Sequence, residues 1–437
     1  MTRSSKNGTL GTKAGRRVVV VDGCRTPFCR SGTDFVDLRA FDLGTHAVTG
    51  LLHKTRIDPE EVGLLVMGTV VQDANTSNLG REVVLASGLP ESCPAYTVTV
   101  ACVSSLQSFV NCVQAIESGA TDVAIAAGSE TLSDAPIRYR RSVRKRLIAS
   151  QKAKGPADYF ALLQGLKPGD FLPEPVAIAE FSTGEVMGEN CERLAKRIGV
   201  TREEQDDFAL ASHTRAAAAQ EQGLLDNQIT PVWLDGNDAP VTVDNGVRGD
   251  STMAKLSTLK PAFDKKFGTI TAANSSFLTD GASAVLLMTE EKAEALGYEP
   301  LAVVRASAMS AQDPLEELLL GPAFTMPKVL EQAGVALDDV GVLEIHEAFA
   351  AQVMAVLKVL EDESFCRDRL GLEGAFGKLD RERLNLWGGS LSLGHPFGAT
   401  GARLVINTCR RMEHEGEKLG LMAACAAGAI GIGVLLE

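Results

Sequence analysis

The chain has 437 residues, 45% hydrophobic and 23% charged, with a net charge of −13. That length exceeds one ordinary core and suits two or three domains, and the composition excludes a disordered chain. The negative charge excludes non-specific nucleic-acid binding as a main role, and nine cysteines without a CxxC pair point to a reducing compartment rather than a disulfide framework.

The first 17 residues hold Arg3, Lys6, Lys13, Arg16 and Arg17 and no acid. Glycines interrupt them and no amphipathic apolar face forms, so they read as a loose tail on a cytoplasmic protein rather than an organelle-targeting segment. No uninterrupted apolar run reaches membrane-spanning length. Cys24 and Cys29 are spaced C-x4-C with no matching second pair, so no metal site is expected.

"LLHKTRIDPEEVGLLVMG" (Leu51 to Gly68) predicts a helix end, an acidic turn and a buried strand. It aligns without a gap to "VLEQAGVALDDVGVLEIH" (Val329 to His346). Next, "VTVACVSSLQS" (Val98 to Ser108) passes from strand character into a helix, with Leu106, Phe109, Val110, Val113 and Ile116 at helical spacing and a stop at Gly119. Cys102 falls at the N-terminus of that helix, where free N–H groups and the dipole favour a thiolate. A buried cysteine behaving as a small hydrophobe is the alternative, and the stretch alone leaves both open.

The helix and strand from Leu106 to Gly128 resemble Ala402 to Cys425, and Gly281 to Glu290 resembles Gly428 to Glu437. In the second copy these pieces adjoin; in the first they are separated by Ser129 to Thr279. The pattern predicts two similar α/β halves with an insertion in the first, built on largely parallel sheets covered by helices. Within the insertion, Arg138 to Lys154 is strongly basic, and a proline- and glycine-rich stretch with apolar residues follows. Thr201 to Gly223 is a helix opened by a threonine cap with Glu204 three residues on. The inserted segment reads as a lid or ligand-binding appendage.

Three further stretches lie at element ends, where open α/β sheets place their ligand sites. "HEAFA" begins at His346, "GGSLSLGHPFGATGAR" carries His395 in a glycine-rich turn, and "CAAGAIG" puts Cys425 in a tight turn between strands. Singly, each histidine or cysteine is as well explained by turn or core packing.

Together with "RTPF" (Arg25 to Phe28) and "GTITAANSSFLTDGASA" (Gly268 to Ala284), these motifs resemble those of the thiolase family over nearly the whole chain. His346, where most thiolases carry Asn, is similar to the β-chains of fatty-acid oxidation complexes. The resemblance implies an α/β fold of duplicated halves, with parallel-rich mixed sheets in a layered αβαβα arrangement. The halves are expected at 16–132 with 255–291 and at 292–437, and an inserted loop domain at 133–254. It implies thiolysis of 3-oxoacyl-CoA by CoA in fatty-acid β-oxidation, as an acetyl-CoA C-acyltransferase acting through an acyl-cysteine.

By that resemblance Cys102 is the nucleophile, His395 takes its proton, and Cys425, with an unperturbed thiol, protonates the departing enolate. One oxyanion hole comprises the backbone N–H groups of Cys102 and Ala427; the other comprises His395 and a water held by His346. Glu347 orients the turn. Ser276 and Met187 contact the pantetheine arm and the acyl chain. No metal or redox cofactor is expected beyond CoA and acyl-CoA as substrates. The partners implied are a second copy in a homodimer and a hydratase/dehydrogenase α-chain. The basic run Arg138 to Lys154 stays open between CoA phosphates, peripheral contact with an anionic membrane surface, that α-chain and a solvated face. The other readings are a biosynthetic acetoacetyl-CoA thiolase and a non-catalytic acyl-CoA or lipid carrier of the same fold.

Overall fold

Strands buried on both faces read as continuous apolar runs, and the longest here, "TDGASAVLLMT", is buried at every position. The computed structural model describes residues 15–174 and 179–437; the tail expected before Gly15 lies outside the described residues. Arg16 and Arg17 are described, and pair with Asp122 and Glu290.

The strands are β1 (Val18–Arg25), β2 (Cys29–Arg30), β3 (Leu65–Gly68), β4 (Ala95–Val98), β5 (Val123–Glu130), β6 (Arg138–Tyr139) and β7 (Pro173–Glu174) in the first part of the chain. Then follow β8 (Thr279–Thr289), β9 (Ala302–Ala311), β10 (Val342–Ile345), β11 (Gly420–Ala426) and β12 (Ile430–Leu436). One sheet runs in the order β10-β11-β12-β9-β1-β8-β5-β3-β4, with β2 on β8, and β6 pairs β7 separately.

Outward from the β1–β9 junction, β8, β5 and β3 on one side repeat β12, β11 and β10 on the other. Each arm is antiparallel, antiparallel, then parallel. The repeat extends to local backbone. Arg56 and Gly334, at aligned positions, end their helices in the left-handed conformation (φ 54° and 66°), and Pro59–Glu61 and Leu337–Asp339 form matching 3-10 turns.

The expectation of a largely parallel sheet needs correcting. Among the strands of the described residues, only the pairs β3–β4, β3–β5 and β10–β11 are parallel. The short turn from β11 to β12 permits only an antiparallel pair, and β8 lies on β5 in the same way although residues 131–278 separate them in the chain.

Alternate residues of each strand face different cores. Val18 and Val20 join Ala124, Ala126, Met422 and Val434 around two central helices, Ser104–Glu117 and Thr400–Glu415. Val19, Ile125 and Leu286 face the helices Ala40–Thr55 and Leu79–Ser87. Leu421, Ala423 and Ala306 face the helices Gly321–Ala333 and Ala350–Glu361. Five layers result, with a helical layer shared in the middle.

The insertion is not an appendage throughout. Helices Met187–Ile198 and Arg202–Glu221 bury Cys191, Leu194, Phe208 and Ala209 in the same core as Val353 and Leu357 of the second half. The threonine cap forms as expected: Thr201 Oγ1 accepts from the Glu204 N–H, and Glu204 accepts from the Thr201 N–H. By contrast, helices Arg141–Ser150 and Pro156–Leu163 present Leu147, Ile148, Tyr159, Phe160 and Leu163 to solvent among basic side chains.

Candidate active site

The turn before the first central helix brings Cys102 to the end of β4. Ala101 sits at φ 45°, a left-handed conformation that a side chain rarely adopts. Ser104 holds it, accepting from the Val100 N–H at 2.8 Å and donating to the Ala101 carbonyl at 2.7 Å. Cys102 and Ala427, the latter in the β11–β12 turn, line one cavity, and the backbone N–H groups of both act to lower the Cys102 thiol. Ala427 avoids the positive-φ region that its neighbours Gly428 and Ala429 occupy, so its Cβ costs no strain there.

The helix-terminus argument for a thiolate fails on magnitude. Burial pushes the Cys102 thiol up to about 12, and the two N–H groups offset only part of that. Cys425, with 1% exposure, is likewise pushed well up by burial and then by the neighbouring Cys102, so its thiol is not the unperturbed one expected from sequence.

His395 and His346 come from the two motifs and meet with ring centroids 4.2 Å apart. The glycine turn of His395 is pinned to the start of β8, where Thr279 Oγ1 accepts from the His395 N–H at 3.0 Å. Its Nδ1 lies 2.7 Å from Thr400 Oγ1, which donates to the Pro396 carbonyl and so accepts the ring hydrogen, leaving Nε2 bare. Burial, then the charge of Arg403, pushes His395 down to about 3; burial, then His395 and Arg403, pushes His346 well below its ordinary value. Both imidazoles are therefore neutral. Neither Nε2 has a hydrogen-bond partner among the described residues, so the expected pair between Cys102 and His395 is not a direct hydrogen bond here.

A cavity of about 380 Å³ opens over Cys102, lined by Val70, Val71, Met187, Phe397, Ala427 and Arg138. Met187 shares this cavity with Cys102. Ser276 is half-buried and bonds to the Ala348 carbonyl (2.9 Å) of the "HEAFA" turn rather than lining this cavity. Glu347 accepts from Ser212, Asn385 and the Leu391 N–H, which fits an orienting role.

Sequence reading missed four supports. Glu130 accepts from the N–H groups of Val70, Val71 and Gly398, each at 3.0 Å, tying both halves together beneath the site. Glu180, from the insertion, accepts from the Gly428 N–H at 2.6 Å. Ser390 and Arg403 back His346. All four are polar contacts between distant segments and leave no local signal.

Comparison with known proteins fits this geometry. The thiolase N-terminal domain family matches residues 18–291 and the thiolase C-terminal domain family residues 298–437. The mitochondrial trifunctional enzyme subunit beta of Bos taurus is 47% identical over 436 residues, covering 100% of this chain and 91% of that protein. A probable 3-ketoacyl-CoA thiolase of Caenorhabditis elegans is 48% identical, covering 96% and 94%. The crystal structure of human mitochondrial 3-ketoacyl-CoA thiolase superposes with a TM-score of 0.83 at 30% identity, covering 97% and 98%.

Proposed function

The chain belongs to the thiolase family, and on that premise we propose that it cleaves 3-oxoacyl-CoA with CoA, giving acetyl-CoA and an acyl-CoA shortened by that unit, in fatty-acid β-oxidation. The observation that carries the proposal is one cavity of about 380 Å³ lined by Cys102, Ala427 and Phe397, the last packed on His395, with the backbone N–H groups of Cys102 and Ala427 as its donors. Those donors match an oxyanion forming beside the nucleophile.

The resting site holds a neutral thiol and neutral imidazoles, so the thiol proton leaves as attack proceeds. Cys102 Sγ attacks the keto carbonyl, and its proton passes to His395. The bond between the α- and β-carbons breaks, and the departing enolate takes the proton of Cys425. Between the two half-reactions His395 returns its proton to the Cys425 thiolate; the CoA thiol then gives its proton to His395 and attacks the thioester. The Cys102 thiolate then leaves and recovers its proton from His395. His395, once it holds the thiol proton, and His346 offer donors to the enolate oxygen. The negative charge is met by N–H donors, so the proposal requires no metal or redox cofactor.

Partners and place form part of the same proposal. Relatives named as a trifunctional enzyme subunit beta support a complex with an α-chain, for which a hydratase/dehydrogenase is proposed, and a homodimer of this chain is proposed from the family resemblance. The basic helix Arg141–Ser150 and the apolar-studded helix Pro156–Leu163 supply a surface for a partner or for peripheral membrane contact. The cytoplasm is the proposed compartment; free cysteines fit any reducing compartment, relatives such as the bovine subunit are named as mitochondrial, and recovery of the protein from an organelle fraction would overturn the placement. Thiolysis measured from acetoacetyl-CoA to long 3-oxoacyl-CoA tests the function. Activity rising with chain length supports degradation, activity on acetoacetyl-CoA alone favours the biosynthetic reading, and none favours a carrier.

A further inference from the structure

The two site histidines have different neighbours behind them, and that difference sets what each offers the substrate. His346 Nδ1 lies 3.0 Å from Ser390 Oγ, and Arg403 Nη2 lies 3.0 Å from the same oxygen. Arg403, His346 and Ser390 are all fully buried, so water supplies no alternative partner. A guanidinium has donors and no acceptor, so Arg403 occupies a lone pair of Ser390. The hydroxyl proton of Ser390 then has one acceptor in reach among the described residues, His346 Nδ1. A proton on Nδ1 instead would leave Ser390 with three hydrogens converging on one oxygen and none placed on an acceptor.

We infer that Arg403 and Ser390 act as positioning residues that lock His346 in the tautomer with its hydrogen on Nε2, making it a neutral donor to the thioester oxygen of the departing acetyl-CoA unit. Its neighbour His395 is the opposite tautomer, with a bare Nε2 suited to accept the thiol proton. One ring thus donates and the other accepts, 4.2 Å apart. Behind it, Arg403 Nη1 faces Glu344 Oε2 at 4.0 Å, a charge contact without a hydrogen bond, while Glu344 Oε1 accepts from Arg411 and Asn407 at 2.8 and 3.0 Å. This inference rests on the proposed thiolysis only for which substrate oxygen receives the bond; the tautomer is a property of the resting protein.

The test has two parts. In protein labelled with 15N-histidine, with signals assigned by loss in His346→Asn, the resting His346 should show a protonated Nε2 and an unprotonated Nδ1. Ser390→Ala should populate both tautomers and Ser390→Thr should restore one. Thiolysis by Ser390→Ala should fall about 10-fold or more, short of the ~10²–10³-fold loss of a whole donor. It should fall more than the exchange of CoA with acyl-CoA, which breaks no carbon–carbon bond, and Ser390→Thr should recover it. A protonated Nδ1 in the resting protein, undiminished thiolysis in Ser390→Ala, or equal loss of thiolysis and exchange would each overturn the inference. A wild-type protein without thiolysis but with Nε2 protonated would count against the proposed function alone.

Discussion

Gly128, near the end of β5, and Gly398, in the turn that carries His395, meet backbone to backbone. A Cβ built on Gly128 would overlap the Gly398 carbonyl oxygen, and one on Gly398 would come within 2.6 Å of the Ser129 carbonyl. The two halves of the duplicated fold therefore close on each other without side chains between them, directly beneath Cys102 and His395. Gly128→Ala should destabilise the protein by about 1–3 kcal/mol through overpacking against rigid backbone. Chemical denaturation measures this. Stability within a few tenths of wild type would show that the turn yields.

The raised Cys102 thiol predicts how its reactivity follows pH. With the thiol at about 12, the thiolate fraction stays small at neutrality and grows about tenfold per pH unit. Alkylation of Cys102 by iodoacetamide, followed by peptide mass spectrometry, should accelerate from pH 7 through pH 9 without a plateau. A plateau reached near neutrality would mean a pre-formed thiolate and contradict the account of the resting site.

The neutral histidines carry a stability signature. His395 is held near 3 against an ordinary value of 6.5, so between these values the unfolded chain binds a proton that the folded chain does not. Its contribution is present above pH 6.5 and is lost as pH falls, by up to about 1.4 kcal/mol per unit. Buried Glu344 and Glu347, raised by burial, act in the opposite sense, so the total pH dependence is mixed. The difference between wild type and His395→Asn isolates the histidine. Urea midpoints should show any wild-type advantage shrinking from pH 6.5 to pH 4.5; a constant difference would contradict a neutral, buried His395.

Cys425 and His395 are assigned to different steps, and the steps separate experimentally. Exchange of labelled CoA with acyl-CoA requires the Cys102 acyl-enzyme but no enolate. Cys425→Ala should keep measurable exchange while thiolysis falls by ~10²–10⁴-fold, and His395→Ala should impair both. Equal loss of both reactions in folded Cys425→Ala would reject this division.

The site was legible in sequence to the extent that it lies in short motifs at element ends. Cys102, His346 and His395 sit in turns marked by small residues, whereas Cys425, expected in a turn, lies near the end of β11 beside the turn at 427–429. Their electrostatic state was not legible, because a helix N-terminus is a local feature and burial is a property of the whole fold. Ser390 lay in a stretch that sequence singled out, yet its partner His346 is 44 residues away and no periodicity links them. The duplication was readable from Leu51 to Gly68 against Val329 to His346. The strand directions were not, since β5 and β8 become neighbours only after a long excursion of chain. The same holds for the insertion, whose helices Met187–Ile198 and Arg202–Glu221 pack on the half to which they do not belong in sequence.

The most direct test of the account is the position of the covalent intermediate. The protein is incubated with a 3-oxoacyl-CoA in the absence of free CoA, quenched in acid and digested, and its nine cysteine positions are read by mass spectrometry. The account predicts the shortened acyl group on Cys102, its release on adding CoA, and its absence in Cys102→Ala. An acyl group found only on Cys425 or another cysteine, or turnover that persists in Cys102→Ala, would contradict it.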